Sequence, residues 1–244
     1  MVERRSGSGV ASFFVEAAIV PGAVVRLPDA AAQHARARRV TVGDAVRVTD
    51  GAGTVGWGTL QRLDARAAEA AVERTESAPR PMPLTLLVPV ADRDRMLWLA
   101  EKAAEFGVTD WRPVLYARSR SVSPRGEGEA FARRVRARMV GALEQSGGAW
   151  LPVVHDGGDL EEAMSACRGV SAGLVLDPGG ASMTAFAPFH GVAVAIGPEG
   201  GMEADELARL LSDGWRAASL GAATLRFETA GIAAVAIVRA SQGR

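Results

Sequence analysis

Short alternating segments fill the first part of the chain. Residues 12–15, 23–27 and 45–49 are rich in β-branched and aromatic side chains, and Pro21-Gly22, Pro28-Asp29 and Asp50-Gly51 interrupt them. This spacing predicts strands of a small barrel or sandwich. Residues 54–60 read as a further strand. Residues 61–76, rich in Ala and Glu, favour a helix by propensity alone. Pro79-Arg80-Pro81-Met82-Pro83 then reads as a linker, which divides the chain into residues 1–78 and 79–244.

Beyond the linker the rhythm becomes strand and helix in alternation. Residues 84–90 form a nearly continuous apolar run, as expected of a strand covered on both faces. Residues 94–106 predict a helix that stops at Gly107, a residue suited to the left-handed position after a last turn. Val114 and Leu115 follow, and residues 129–146 predict a second helix. Residues 174–176 and 192–196 are buried-strand candidates, and 202–212 is a helix closed by Gly214. Residues 229–238 are apolar almost all round, which directs them to a core or a subunit interface. The alternation predicts an α/β domain with a mainly parallel sheet.

Composition narrows the class. Of 244 residues, 48% are apolar and 23% charged, which excludes a disordered chain. No apolar run approaches the roughly 18 residues that span a bilayer. Arg4 and Arg5 precede an apolar stretch, but Glu16 breaks it, against a signal peptide. Cys167 is the single cysteine, and His34, His155 and His190 have no metal-ligand spacing. A metal-free cytoplasmic protein is expected.

The formal net charge is zero, yet the cations are concentrated. Lys102 is the one lysine. Residues 112–138 carry eight Arg against Glu127 and Glu129, a local charge of +6, and Arg36, Arg38 and Arg39 form a smaller cluster. The rigid donor fork of Arg suits phosphate and therefore nucleic acid. A solvated helix face accounts for the charge equally well.

Gly51, Gly53 and Gly56 match the dinucleotide pattern GxGxxG. They lead into a strand rather than a helix, so Asp50-Gly51 is read as a hairpin turn. Three other segments carry more chemistry. Ile196-Gly197-Pro198-Glu199-Gly200-Gly201 lies between a buried strand and a helix, where open α/β sheets bind ligands and where glycines leave main-chain groups uncovered. Leu220-Gly221, followed by Leu225-Arg226 and Glu228-Thr229-Ala230, runs into the terminal apolar helix. Glu228 or Thr229 is a candidate cap, and Arg226 beside a buried element needs a partner or an anion. Glu144-Gln145-Ser146 ends the basic helix.

In combination these segments resemble the ribosomal small-subunit methyltransferase E family, 16S rRNA (uridine-N3) methyltransferases of the SPOUT superfamily. Lys102, Glu105, Gly107 and Val108 match the family's helix end. Arg118-Ser119 matches an Arg-Ser pair, Glu144-Gln145-Ser146 with Pro152 a further segment, and Arg39 with Gly43-Asp44 an N-terminal one. The resemblance covers nearly the whole chain in order.

It implies an N-terminal PUA-like β-barrel and a C-terminal α/β domain tied in a trefoil knot, with residues 61–76 as strands. It also implies S-adenosylmethionine as cofactor, 16S rRNA of the small ribosomal subunit as partner, and a homodimer without metal or membrane. Ile196, Gly197, Pro198, Glu199, Gly200, Gly201, Leu220, Gly221 and Leu225 would hold the cofactor, with Leu176 covering one side. Uracil N3 is a poor nucleophile until its proton leaves, so the reactants must be positioned and the proton removed. Arg118 and Arg226 would hold phosphate or a developing uracil anion. Glu199 is a candidate base that equally well orients a loop. Arg36, Arg39, Lys102, Arg118, Arg120, Arg134 and Gln145 would contact RNA.

Four positions depart from the family pattern. Gly148 stands where an Arg usually follows Glu-Gln-Ser, and Ala223 where Arg or Thr is frequent. Asp92 replaces a Lys, with Arg93 a candidate substitute, and Arg38 replaces the Leu of a Leu-Arg pair.

Overall fold

A computed structural model describes residues 10–37, 39–64, 67–121 and 125–241. Arg4, Arg5 and Arg38 lie outside the described residues. The chain divides into two compact units. The first takes the residues up to Arg80 together with Leu143–Leu151, and the second Pro81–Ala142 and Pro152–Arg244. The expected boundary at 78/79 therefore misses a segment from later in the chain that belongs with the first unit.

The first unit contains β1 (Ala11–Phe14), β2 (Val24–Arg26), α1 (Asp29–Ala37), β3 (Ala45–Thr49), β4 (Thr54–Leu63) and β5 (Ala68–Ser77). Its five-stranded sheet has the order β1-β3-β4-β5-β2, with β1 parallel to β3 and the other pairs antiparallel. The β3–β4 connection is the expected hairpin. Asp50 Oδ1 accepts from the N–H groups of Ala52 and Thr54, and Gly51 and Gly53 take positive φ.

The described residues of 61–76 are not helical, as the family resemblance implies and against their propensity. They extend β4 and form β5, because Leu60, Ala68, Ala70 and Val72 complete a core with Phe13, Leu27 and Val46 that a helix would expose. Propensity yields to burial here. Helix α1, which the sequence pattern did not reveal, covers this core with Ala31, Ala32 and Ala35.

On the opposite face of the sheet, Ser12, Arg47, Trp57 and Arg74 form one cross-strand row. Arg74 stacks 5.1 Å from the Trp57 ring. Arg47 is buried and donates to Ser12 Oγ at 2.8 Å and to the Gly148 carbonyl at 2.9 Å. Burial holds its pKa below the ordinary arginine value. Nearby, Phe14 N–H donates to Glu144 Oε1 at 2.9 Å. Gly53 leaves room for Trp150, whose ring a Cβ there would meet at 2.4 Å. These contacts seat Leu143–Leu151 in the first unit.

The second unit contains β6 (Leu84–Pro89), α2 (Arg93–Glu105), β7 (Asp110–Val114), α3 (Glu129–Ser146), β8 (Val153–Val154), α4 (Leu160–Ala166), β9 (Ala172–Ser182), β10 (Val192–Ala195), α5 (Ala204–Ser212), β11 (Arg216–Ser219) and α6 (Phe227–Ser241). The residues of α3 from Leu143 onward group with the first unit. The sheet order is β11-β9-β10-β6-β7-β8, with every pairing parallel. All residues of β6 and β10 are buried, the physical reason for their unbroken apolar sequence.

Asp92 caps α2 by accepting from the N–H groups of Asp94 and Arg95. Arg239 on α6 donates to the carbonyls of Met82, Phe106 and Gly107, and so ties the last helix to the end of α2. Among the described residues no helix is long and apolar enough to cross a membrane, and no cluster of His, Cys, Asp and Glu suits a metal ion.

Replacement of Arg47 by Met should destabilise the first unit by about 2–3 kcal/mol, because it leaves the Gly148 carbonyl and Ser12 without a charged donor. The urea midpoint followed by tryptophan fluorescence measures this. A midpoint equal to the wild type would remove Arg47 as the tie.

Candidate active site

Strand β10 hands its last ladder bond to Ile196, whose N–H donates to the Leu87 carbonyl at 3.0 Å. The chain then turns at once. Gly201 takes φ +74° and its N–H donates to the Pro198 carbonyl at 2.8 Å. Strand β11 ends at Ser219, and Gly221, at φ +123°, donates its N–H to Ser219 Oγ. Only glycine adopts such a φ without strain. The third wall is an excursion in β9: Val175 pairs with Ala217 and Ala181 with Ala218, so residues 176–180 leave the ladder between consecutive β11 positions.

These three segments surround one cleft of about 660 Å³. Ile196 and Gly197, Pro198, Glu199, Gly200 and Gly201 line one side. Leu220, Gly221, Leu225 and Arg226 line another, and Leu176 a third. The two glycine bends read from the sequence thus meet around one space. Asp177, Pro178, Met202 and Arg95 also line it, and the sequence reading had named none of them for the site.

The charged residues take distinct places. Arg95 Nη1 lies 3.7 Å from Glu199 Oε1 and its Nε 3.9 Å from Glu228 Oε1, so one guanidinium faces carboxylates from both sides of the cleft. The cation at this wall is therefore Arg95 and not Arg93. Asp92 starts α2, and that start sets the turn on which Arg95 faces the bend. Glu228 is buried, and its Oε2 has no hydrogen-bond partner. Neither Glu228 nor Thr229 caps α6, since both lie inside its first turn. Arg226 is exposed, so burial places no demand on it for a partner.

Arg118 sits in the 3₁₀ turn Ala117–Ser121 and is exposed. It braces the glycine bend from outside the cleft: its Nη1 donates to the Gly200 carbonyl, and a Cβ on Gly200 would meet its side chain at 3.3 Å. Ala117 N–H donates to Glu206 Oε1 at 2.8 Å, which ties the same turn to α5.

The expected RNA contacts divide further. Helix α3 buries Phe131, Val135 and Met139 and exposes Arg133, Arg134, Arg136 and Arg138, with ion pairs from Arg133 to Glu129 and from Arg138 to Glu101. The side chain of Arg120 lies outside the described residues. Lys102 is held by Glu101 and Glu105 at 2.8 and 2.7 Å, which raises its pKa and makes it part of a locally negative trio. It is not an isolated cation awaiting phosphate. Arg36, Arg39 and Gln145 are exposed and belong to the first unit, where Arg36 also donates to the Asp64 carbonyl. Glu144 of the same motif is buried against Phe14.

Residues 78–239 match the family model of the RNA methyltransferase domain. The chain is 26% identical over 212 residues to the ribosomal RNA small subunit methyltransferase E of Synechocystis sp., covering 84% of this chain and 69% of that protein. The structure of a ribosomal RNA small subunit methyltransferase E from Neisseria gonorrhoeae, bound to S-adenosyl methionine, superposes with a TM-score of 0.84 at 26% identity, covering 95% of this chain and 98% of that one. A putative methyltransferase from Legionella pneumophila, in complex with the same cofactor, shares the fold with a TM-score of 0.85 at 22% identity, over 96% of this chain and 98% of that one.

Loss of the Arg118 brace should loosen the bend. Arg118→Ala is expected to speed amide hydrogen exchange in residues 199–202 by about tenfold, the loss of roughly one charge-assisted hydrogen bond, with the β10 amides unchanged. Exchange followed by mass spectrometry reads this directly. Equal protection in the variant would separate Arg118 from the bend.

Proposed function

The chain belongs to the RNA methyltransferase domain family, and from that premise we propose that it uses S-adenosylmethionine to methylate N3 of one uridine in 16S rRNA of the small ribosomal subunit. The observation that carries this reading is the meeting of both glycine bends around a single cleft of about 660 Å³, within the range of small-molecule sites. The lining fits the cofactor. Leu176, Ile196, Leu220 and Leu225 suit a flat purine, while main-chain groups at 197–201 and 220–221, uncovered by side chains, suit its polar edges. When bound, the sulfonium supplies an electrophilic methyl group for in-line attack.

The residues of the chain then have separable tasks. Glu199, facing Arg95, orients the glycine bend and leaves the cleft shaped for the donor. Arg118 holds the same bend through the Gly200 carbonyl. Arg226, exposed on the rim, is placed to steady a phosphate or a developing uracil anion. The Arg face of α3, with Arg36 and Arg39 of the first unit, would grip the RNA backbone, so affinity should fall steeply with salt. The target uridine must be unpaired or turned out of its stack to reach the cleft.

The finer architecture follows the same reading. We assign the first unit to a PUA-like RNA-binding barrel, supported by its five-stranded, mainly antiparallel sheet with α1 packed on both β1 and β5. The second unit reads as a SPOUT-type domain with a trefoil knot near the cleft. A homodimer is supported by α6, which leaves Ile232, Ala236 and Ile237 only partly covered beside an α2 that exposes Trp98. The protein would act in the cytoplasm, where small subunits are assembled.

Mass spectrometry of small-subunit rRNA from a strain lacking the protein tests the reaction. Loss of a single N3-methyluridine is expected. Unchanged rRNA, or loss of a ribose 2′-O-methyl group instead, would overturn the assignment. Glu199→Gln separates the two roles open to that carboxylate. An orienting residue should cost at most about tenfold in kcat, whereas removal of a general base would cost about 10²–10⁴-fold.

A further inference from the structure

The excursion at residues 176–180 is an expensive way to run a parallel strand. Two consecutive residues of β11, Ala217 and Ala218, pair with Val175 and Ala181, and the chain between those partners leaves the ladder. Its return is tight: a Cβ on Gly180 would lie 2.4 Å from the Ala217 carbonyl carbon and 2.5 Å from Ala218 N. Its apex is held by Asp177, whose Oδ1 accepts from Gly179 N–H at 2.7 Å. The result is a carboxylate of fixed orientation on the wall of the cleft, beside Leu176.

The cleft has two acidic side chains in its lining, Asp177 and Glu199, and they differ in company. Glu199 faces Arg95. Asp177, on the cleft wall, makes no ion pair among the described residues, and its Oδ2 has no hydrogen-bond donor among them. An ionised carboxylate is an acceptor only, so its natural ligand partner is a donor. Leu176 and the apolar residues across from it fit the purine, and the group bonded directly to that purine is a ribose with two adjacent hydroxyl donors. Carboxylates serve nucleotide riboses in this way on other α/β sheets.

On the footing of the proposed cofactor, we propose that Asp177 recognises the ribose hydroxyls of S-adenosylmethionine, and so makes the cleft specific for a ribonucleoside donor. The other donors on this cofactor are the ammonium of its methionine part and the 6-amino group of its adenine, and a choice of ligands separates the three. S-Adenosylhomocysteine has both the ribose and the ammonium. 5′-Methylthioadenosine keeps the ribose and the 6-amino group without the ammonium, and adenine, as a control, keeps the 6-amino group alone.

Calorimetry with the full chain provides the test, on wild type, Asp177→Asn and Asp177→Ala. Asn keeps an oxygen for Gly179 N–H, so the excursion is held while the charge is lost. Asn is expected to weaken both ligands by the same factor, about tenfold, with Ala weaker still. Its melting temperature should match the wild type. Unchanged affinity in Asp177→Asn would overturn the inference, as would a loss confined to S-adenosylhomocysteine, which would assign the carboxylate to the ammonium, or an equal loss for the adenine control, which would assign it to the 6-amino group. Wild-type protein that binds neither ligand would instead overturn the cofactor reading of the cleft, and this inference with it.

Discussion

The site depends on main chain left uncovered where two buried strands end. Strand β10 has neighbours on both edges and no exposed residue, so its position is set by the whole sheet. Ile196 adds one more ladder bond, and the bend begins immediately after it. Glycine at these positions serves two ends at once. It permits the positive φ of Gly201 and Gly221, and it withholds side chains that would fill the cleft. A pocket built this way inherits the rigidity of the sheet, which is what precise placement of two reactants demands.

Arginine does two kinds of work in a chain with a single lysine. Arg47 and Arg239 are internal ties. Each spreads its rigid donors over several acceptors, Arg47 over Ser12 Oγ and the Gly148 carbonyl, and Arg239 over the carbonyls of Met82, Phe106 and Gly107. A lysine, with one compact ammonium, would not span such sets. Arg134 and its neighbours on α3 are exposed and form the outward basic surface. Arg95 stands between these uses: half-buried, it faces Glu199 on one bend and Glu228 at the start of α6. The local charge of +6 counted along residues 112–138 is therefore an upper figure for the surface, since Glu101, outside that span, also answers Arg138.

Much of the fold was legible because burial writes itself into composition. Strands β6 and β10, covered on both faces, appear as unbroken apolar runs, and α3 matches its expected span. Helix α1 escaped notice because it is short and its buried face is made only of alanines, Ala31, Ala32 and Ala35, which carry a weak apolar signal. Strand β11, Arg216–Ser219, carries no apolar run because it is an edge strand. For residues 61–76 propensity alone favours a helix and only the family resemblance implies strands, since their alternate alanines are small enough to line a β core and common enough in helices to suggest one. Within the site, the glycine bends were found by motif. Arg95 and Asp177 were not, because neither lies in the motif and each reaches the cleft through the local geometry of another element.

The sequence by itself determined the alternation of strands and helices beyond the linker, the two glycine bends and the concentration of arginine. Each is a local property, set by which residues tolerate a given φ, bury well or carry charge. Only the tertiary structure decided that the bends share one cleft and that residues 143–151 belong with the first unit. It also decided that Lys102 is answered by two glutamates while Asp177 faces the cavity. Those outcomes depend on contacts between residues far apart in the chain, which close only when the parallel sheet has set the distance between its strand ends.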